Sequence, residues 1–377
     1  MRATLVALLC GCGRQNFAAY PPACEELAFV RTADIAAFGP RNVALGDVNL
    51  DGDLDVVLTN GDAQSISVAL GNGDGTFRSP MIYPAGVHPW SLAVARFAQG
   101  VPPDIVVGNY SDDTITVFRN DGTGALQPAS THGVLTPQAL ALADFDGDDH
   151  ADVAVASFSA DEVTVIMSDL ARDFVFTAQT FATGVGPYSI ATDDLDEDGN
   201  LDLLLANKRG TSLSSLLGNG DGTFRAEIPI STGLGTQPWH VTTADLDGDG
   251  HRDAIVADNY GTSSILIFRG RGDGTFAAPE PTAAPYNTWW IVAADMTADD
   301  TLDLVAGSGP DGVSTYVGRG DGTFEPRQDF APQEGEKLCI AVGDLDHDRR
   351  PDVVSANGTA NTVSVLLNRC ARSDELR

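Results

Sequence analysis

Oxygen-bearing side chains recur through this chain at the spacing of a cation-binding loop. The clearest copy runs Asp245-Leu-Asp247-Gly-Asp249-Gly250-His-Arg-Asp253 and leads straight into the apolar run Ala254-Ile255-Val256. Its acids stand at positions one, three, five and nine. The same positions are filled by Asp47, Asn49, Asp51 and Asp55; by Asp144, Asp146, Asp148 and Asp152; by Asp194, Asp196, Asp198 and Asp202; and by Asp344, Asp346, Asp348 and Asp352. A sixth copy, Asp295, Thr297, Asp299 and Asp303, has lost one carboxylate, and a seventh, from Arg96 to Asp104, keeps only the last acid. Hard oxygen ligands in this number suit Ca2+, which takes about six to eight oxygens, with a backbone carbonyl at position seven and waters completing the shell. Converging carboxylates repel unless a cation neutralises them, so about five or six Ca2+ ions are expected, and none at the Arg96 copy. Zn2+ does not fit, because no His or Cys joins the ligand set. Nor is this an EF-hand: the twelfth position from Asp47 is Leu58, where a bidentate Glu would be required.

The loops need a scaffold that presents them at regular intervals. Their first positions are 47, 96, 144, 194, 245, 295 and 344, a period of 48 to 51 residues, which denotes an array of one repeated unit. In the unit beginning at Pro238, Trp239 to Ala244 reads as a strand leading into the acidic loop. Asp253 to Asp258 and Ser264 to Phe268 read as two more, separated by a turn. Gly270-Arg-Gly-Asp-Gly-Thr-Phe276 is then a hairpin turn into a fourth strand, and it recurs at Gly71 to Phe77, Gly218 to Phe224 and Gly318 to Phe324. Glycine supplies the positive φ of such turns, and the following Phe is expected to tuck between units. No window carries a helical period. Four short strands in each of seven units predict an all-β fold, a seven-bladed β-propeller of four-stranded antiparallel blades.

After the seventh loop only two strands remain, over 351–356 and 362–367. The missing fourth is expected at the front, where Leu27-Ala-Phe-Val-Arg-Thr32 and Gly39-Pro40 match the stretch from Thr76 to Trp90. The N-terminal strand would close the last blade and remove the open sheet edges. Its hairpin turn is then cut between Cys370 and Cys24, and a disulfide joining them would replace it in an oxidising compartment. Cys339, inside Leu338-Cys-Ile-Ala-Val342, reads as a buried thiol.

The acidic loop followed by an apolar run, together with Gly-Asn-Gly-Asp-Gly-Thr-Phe, resembles the FG-GAP/VCBS repeat. That family includes the calcium-binding propeller of integrin α subunits, many bacterial surface proteins and some fungal lectins. The resemblance spans roughly residues 26 to 370. It implies a seven-bladed propeller with calcium at the bottom of the blades, and no single ligand, because the family is functionally diverse.

A formal net charge of −31 argues against nucleic acid and anionic membrane surfaces as partners. The chain opens with Met1-Arg2, a short apolar stretch and Leu9-Cys10-Gly11-Cys12, which resembles a bacterial lipoprotein cleavage site with Cys12 as the lipidated residue. Plain secretion is the alternative. No later stretch approaches the roughly 18 to 20 apolar residues of a membrane span. The expected organisation is a leader and linker over 1–23, the propeller over 24–370 and a tail over 371–377. The protein would be a monomer outside the cytoplasm: at the bacterial cell surface, in the periplasm or secreted.

Six residues before each first ligand lies a position entering strand one. Around the ring it reads Arg41, Trp90, Gln138, Tyr188, Trp239, Trp289 and Leu338. On the face opposite the acidic loops, Trp90, Tyr188, Trp239 and Trp289 would form an aromatic mouth able to stack on sugars or anchor a protein partner. Plugging the central channel or packing between blades would serve equally well as a reason for them. Arg271-Gly-Asp273 and Arg319-Gly-Asp321 fall inside the glycine turns and are read as turn chemistry. His150, His251 and His347 lie in or beside the acidic loops, facing solvent, and no His has the spacing of a nucleophile motif. These observations favour a non-enzymatic binding or adhesion module for carbohydrate or extracellular protein, with structural calcium. The alternative is a polysaccharide lyase or hydrolase, for which Asp112, Asp113, Asp161, Glu162, Glu334 and Glu336 are the acids outside the loops.

Overall fold

The computed structural model describes residues 27–97, 101–168, 177–233, 235–259, 264–285, 287–309, 312–330 and 337–369, without the side chains of 337 and 338. Among these residues every regular element is a strand, and the strands form seven antiparallel sheets arranged as propeller blades. Blade 1 consists of Pro40–Gly46, Asp55–Asn60, Ser65–Ala69 and Met81–Pro84, hydrogen-bonded in that order. Blades 2 to 6 repeat the order, their first strands being Pro89–Ala95, Pro137–Ala143, Pro187–Asp193, Pro238–Ala244 and Thr288–Ala294. Blade 7 has three strands from the C-terminal part of the chain, Lys337–Gly343, Asp352–Asn357 and Thr362–Asn368. Its fourth is Phe29–Arg31, which pairs antiparallel with the last strand in the register Phe29 to Asn368. The expected closure is therefore observed, and Ile35–Ala36 extends it along the same strand.

Burial explains why the strands differ in composition. Strand two of each blade, such as Asp55-Val-Val-Leu-Thr-Asn60, is buried along its whole length because neighbouring blades cover both its faces. It accordingly reads as a continuous apolar run. The outer strand Met81–Pro84 alternates between half-buried and exposed residues, as an edge strand with one wet face must. The core sits between blades: one cluster joins Val43, Val56 and Leu58 of blade 1 to Val354, Val363 and Cys339 of blade 7. Cys339 is a buried free thiol, as expected.

The glycine turns bind the blades to one another. Phe224 and Phe276 are buried between blades, and Phe77 and Phe324 pack partly against the same kind of cluster. At the first glycine of the turn a side chain has no room, since a Cβ on Gly71, Gly218, Gly270 or Gly318 would lie 2.1–2.4 Å from a backbone carbonyl. The third glycine reaches across to the preceding blade. Gly75, Gly222 and Gly274 each donate an N–H to the carbonyl of Leu345, Phe145 or Leu195, residue two of that blade's acidic loop, at 3.0 Å.

Candidate functional site

The acidic loops divide into an architectural acid and three that face outward. The ninth-position carboxylates are buried and tied at both oxygens. In Asp55, Asp152, Asp202, Asp253, Asp303 and Asp352, Oδ2 accepts the N–H of residue two of the loop at 2.7–3.2 Å. Oδ1 accepts an N–H at the end of strand three or just beyond it, at 2.7–2.9 Å. Asp104 makes the second of these bonds to Asn120 at 2.8 Å, although its loop has lost the other acids. Burial raises Asp55 and Asp202 to about 6, and Asp152, Asp303 and Asp352 to about 7, against the pull of those backbone bonds.

The remaining acids fold the loop around a common centre. The first-position acid accepts the N–H five residues on, as in Asp194 to Gly199 at 3.0 Å and Asp344 to Arg349 at 3.0 Å. Positions four and six take left-handed backbone in every acid-rich loop, filled by Gly at five places and by Leu50, Asp149, Glu197, Ala298, Asp300, His347 and Arg349 at the others. This curl brings ligand atoms of Asp144, Asp146 and Asp152, of Asp194, Asp196 and Asp202, of Asp245, Asp247 and Asp249, and of Asp344, Asp346 and Asp348 within 4.8 Å of one another. These clusters can hold a metal ion. Oδ1 of Asp194, Asp196 and Asp344 is buried without a hydrogen-bond partner, and such an oxygen fits a cation.

Two loops are looser. In the first, Asn49 donates to Asp51 at 2.7 Å, an amide where the four tighter loops carry an acid. In the sixth, Thr297 turns inward and donates to Asp303 through both N–H and hydroxyl, which withdraws it from Asp295 and Asp299. Arginines partly neutralise three of the tighter loops. Arg225 bonds Asp196 and Asp198 at 2.9 Å each, Arg269 bonds Asp247 and Asp253, and Arg369 bonds Asp346 and Asp348. Two histidines read as solvent-facing keep exposed side chains and also bridge neighbouring blades: His251 pairs with Glu197 at 2.5 Å and His347 with Asp53 at 2.7 Å.

The opposite face is built by a repeated backbone fault. In every blade the pairing of strands one and two slips at one place. The slip leaves Trp90, Gln138, Tyr188, Trp239, Trp289 and Leu338 unpaired, and in blade 1 it spans Arg41 and Asn42. Such a β-bulge re-aims the extra residue away from the sheet. Tyr188, Trp239 and Trp289 thereby meet edge to face, with ring centroids 4.5 and 4.2 Å apart, and Phe158 joins Tyr188 at 5.8 Å. Trp90 belongs to a second group with His88 and Tyr110. Burial raises the pKa of the Tyr188 phenol, with Tyr110 adding to the rise and the Arg41 charge opposing it. All four predicted aromatic residues are half-buried, neither sealed nor fully open.

Basic side chains lie over these rings. The Lys208 ammonium sits 3.4 Å from the Trp239 centroid and 4.4 Å from that of Tyr188, Arg209 lies 4.1 Å from Phe158, and Arg41 5.4 Å from Trp90. Burial, aided by Arg209, lowers Lys208 to about 8. Tyr110, Phe158 and Lys208 escaped the sequence reading. They share one position, directly after strand two of their blades, and that register was the available signal.

Three of the acids outside the loops are occupied. Asp112, Asp113 and Asp161 accept the N–H groups of Val87, Thr136 and Gly186, holding the segment that leads into a blade. Glu162 opens a third strand, and Glu334 and Glu336 lie outside the described residues. Asp273 and Asp321 bond Thr275 and Thr323 as Asp74 and Asp221 bond Thr76 and Thr223, so both Arg-Gly-Asp tripeptides serve their turns. Cys12, Cys24 and Cys370 also lie outside the described residues.

The FG-GAP-like repeat model matches residues 47–97, 103–155, 144–205, 194–256, 245–306 and 295–355. The chain belongs to the FG-GAP-like repeat family. No curated protein matches the sequence. Among solved structures, this FG-GAP chain is similar to BBS1N, crystallised in complex with ARL6DN, at 13% identity over 93% of this chain and 99% of that one, TM-score 0.65. It is also similar to a catalytically inactive virginiamycin B lyase from Staphylococcus aureus with quinupristin, at 14% identity over 90% and 98%, TM-score 0.60. A third is an Agrocybe aegerita lectin that recognises non-reducing terminal N-acetylglucosamine, at 20% identity over 89% and 86%, TM-score 0.52. At these identities the likeness is one of fold. The FG-GAP propeller thus carries two sets of candidate groups, at opposite ends of the same strands.

Proposed function

We propose that this protein is a non-enzymatic binding or adhesion module working outside the cytoplasm. Calcium in its acidic loops would brace one face, and the mouth on the other would receive a carbohydrate or protein ligand. The observation that carries this reading is the bulge repeated in all seven blades, which in three of them brings Tyr188, Trp239 and Trp289 together as one cluster of rings. Two of the fold relatives, BBS1N with its ARL6DN partner and the lectin with its sugar, support a binding role. Asp144, Asp146 and Asp152, and their counterparts in the other tight loops, would hold the ions, which supply charge neutralisation and rigidity and no chemistry.

The extracytoplasmic assignment rests on the leader-like first 23 residues, with Cys12 as the site of a lipid anchor. A Cys24–Cys370 disulfide at the closing blade agrees with the bond from the Arg369 N–H to the Ala28 carbonyl at 2.7 Å, which brings the two ends together. Labelling of both thiols in the unreduced protein would rule it out. The recognition reading is tested on a glycan array with calcium present, using the protein with Trp239→Ala and Trp289→Ala beside it. Binding that disappears in either variant supports a lectin-like mouth. A blank array removes the carbohydrate reading and leaves a protein ligand.

A further inference from the structure

The chemistry of the mouth specifies more than an aromatic lining. Its rings are not bare platforms for a neutral sugar. Lys208 covers Trp239 and Tyr188, Arg209 covers Phe158 and Arg41 covers Trp90. Three N–H groups of the bulged residues have no acceptor: Arg41 Nε, Gln138 Nε2 and Trp289 Nε1 are buried and without a hydrogen-bond partner. Of these, Trp289 Nε1 belongs to the ring that meets Trp239, which lies under Lys208. An orphaned buried donor is costly, and one beside an ammonium describes a site that lacks its acceptor.

The acids of the same face do not fill that role. Asp112, Asp113 and Asp161 are engaged with backbone N–H groups, and Asp62 reaches Arg41 only through Nη2, at 3.3 Å, leaving Nε unpaired. Lys208 has no acidic partner among the described residues, and its lowered pKa agrees with a charge left uncompensated. The strongly acidic loops lie at the far end of a seven-residue strand such as Pro187–Asp193. That is about 20 Å away, more than two Debye lengths at physiological salt, so the loops do not cancel the local positive charge.

We propose that the mouth binds the carboxylate of an acidic saccharide. Lys208 and the Trp289 indole N–H would serve as its donors, and the half-buried ring of Trp289 would support the pyranose. Donors without acceptors call for a group that only accepts, and a carboxylate offers two oxygens and about four lone-pair sites. A sugar is favoured over an acidic peptide because half-buried Trp289, with no basic side chain over it among the described residues, offers an apolar face beside its own orphaned N–H. The inference rests on the mouth being the recognition site for a saccharide.

The test is titration calorimetry of the full chain with calcium present, using trigalacturonate, galactotriose and polyglutamate at low and physiological salt. Trigalacturonate is expected to bind at least about tenfold more tightly than galactotriose, the scale of one charge-assisted hydrogen bond. Lys208→Met should abolish that preference while leaving the calcium-loaded melting temperature unchanged. If that variant fails to fold, Lys208→Gln serves as the second. Equal binding of the two sugars, unaltered by these variants, overturns the carboxylate proposal but leaves a saccharide-binding mouth. Polyglutamate binding as tightly as trigalacturonate overturns the choice of a sugar. Failure of both sugars overturns this proposal together with the carbohydrate reading beneath it.

Discussion

Strand one of each blade begins at a bulge and ends in an acidic loop, and the two ends use the sevenfold repeat differently. At the loop end the side chain itself is repeated. A buried Asp accepts a backbone N–H at the end of strand three in all seven blades, including blade 2, where Arg96 and its neighbours have replaced the other acids. Blade 2 separates two roles that coincide elsewhere. In blade 2 the ninth acid serves the blade alone, whereas in Asp152 and Asp202 the same carboxylate also joins an acidic cluster. At the bulge end only the backbone is repeated, and the residue type at the slip varies through Arg, Trp, Gln, Tyr, Trp, Trp and Leu. A repeated residue marks a demand every blade shares, and a repeated backbone with varied residues marks a surface assembled once per molecule.

Removing calcium should have the largest effect and should act through the loop end alone. An ion at 100 times its dissociation constant adds about 2.7 kcal/mol, so several sites together would lower the melting temperature by roughly 10–20 °C on chelation. An unchanged melting curve in excess chelator would contradict calcium in these loops. Next in size, Asp104→Ala and Asp202→Ala should each cost about 2–4 kcal/mol by leaving buried amides unpaired. Denaturant titration should find the Asp104→Ala cost the same with and without calcium, and the Asp202→Ala cost greater with it. Identical calcium dependence in the two variants would erase the distinction between blade 2 and its neighbours.

Beside the bulged Trp239, His240 is 3% exposed, stacks on Trp290 at 3.9 Å, and is held by burial at about 3. It stays neutral in the fold while the unfolded chain takes up a proton below about 6.5. Its contribution is therefore full above that pH and is lost progressively as pH falls toward 3. The difference between the stability profiles of the protein and His240→Phe should grow by about 3 kcal/mol between pH 6.5 and 4, and a flat difference would refute it. The smallest effect is expected at Leu50, whose φ of 61° strains a branched side chain. Leu50→Gly should be neutral or stabilising by up to about 1 kcal/mol in chemical denaturation, against a loss for the same change on an extended residue.

Much of this architecture was legible because a 48–51-residue period of Asp and Gly carries its own register. The closing strand was found by the same alignment of repeats. The clamp at position nine was not legible. Its partners are backbone N–H groups about seven and sixteen residues away, so Asp152 and Asp202 looked no different from Asp146 and Asp196. Counting back six residues located Trp239 and Trp289, but only the pairing register reveals that each sits on a bulge. The basic residues over the rings come from a different turn, and no spacing within one strand points to Lys208. His251 and His347 keep the exposure expected of them, but their partners, Glu197 and Asp53, stand on neighbouring blades and no spacing within one loop points to them.

Pairing of Phe29 with Asn368 has a kinetic meaning. Each blade can assemble from residues fewer than 50 apart, but the joint between the first and last strands spans 339 positions. On loop-closure entropy alone, bringing those ends together costs about 1.7 kcal/mol more than closing a 50-residue segment. A nascent chain can therefore stack most of its blades early and remain an open crescent until its last strand is available. Circular permutation that opens the ring between two other blades would move that slow step elsewhere while leaving the finished molecule the same.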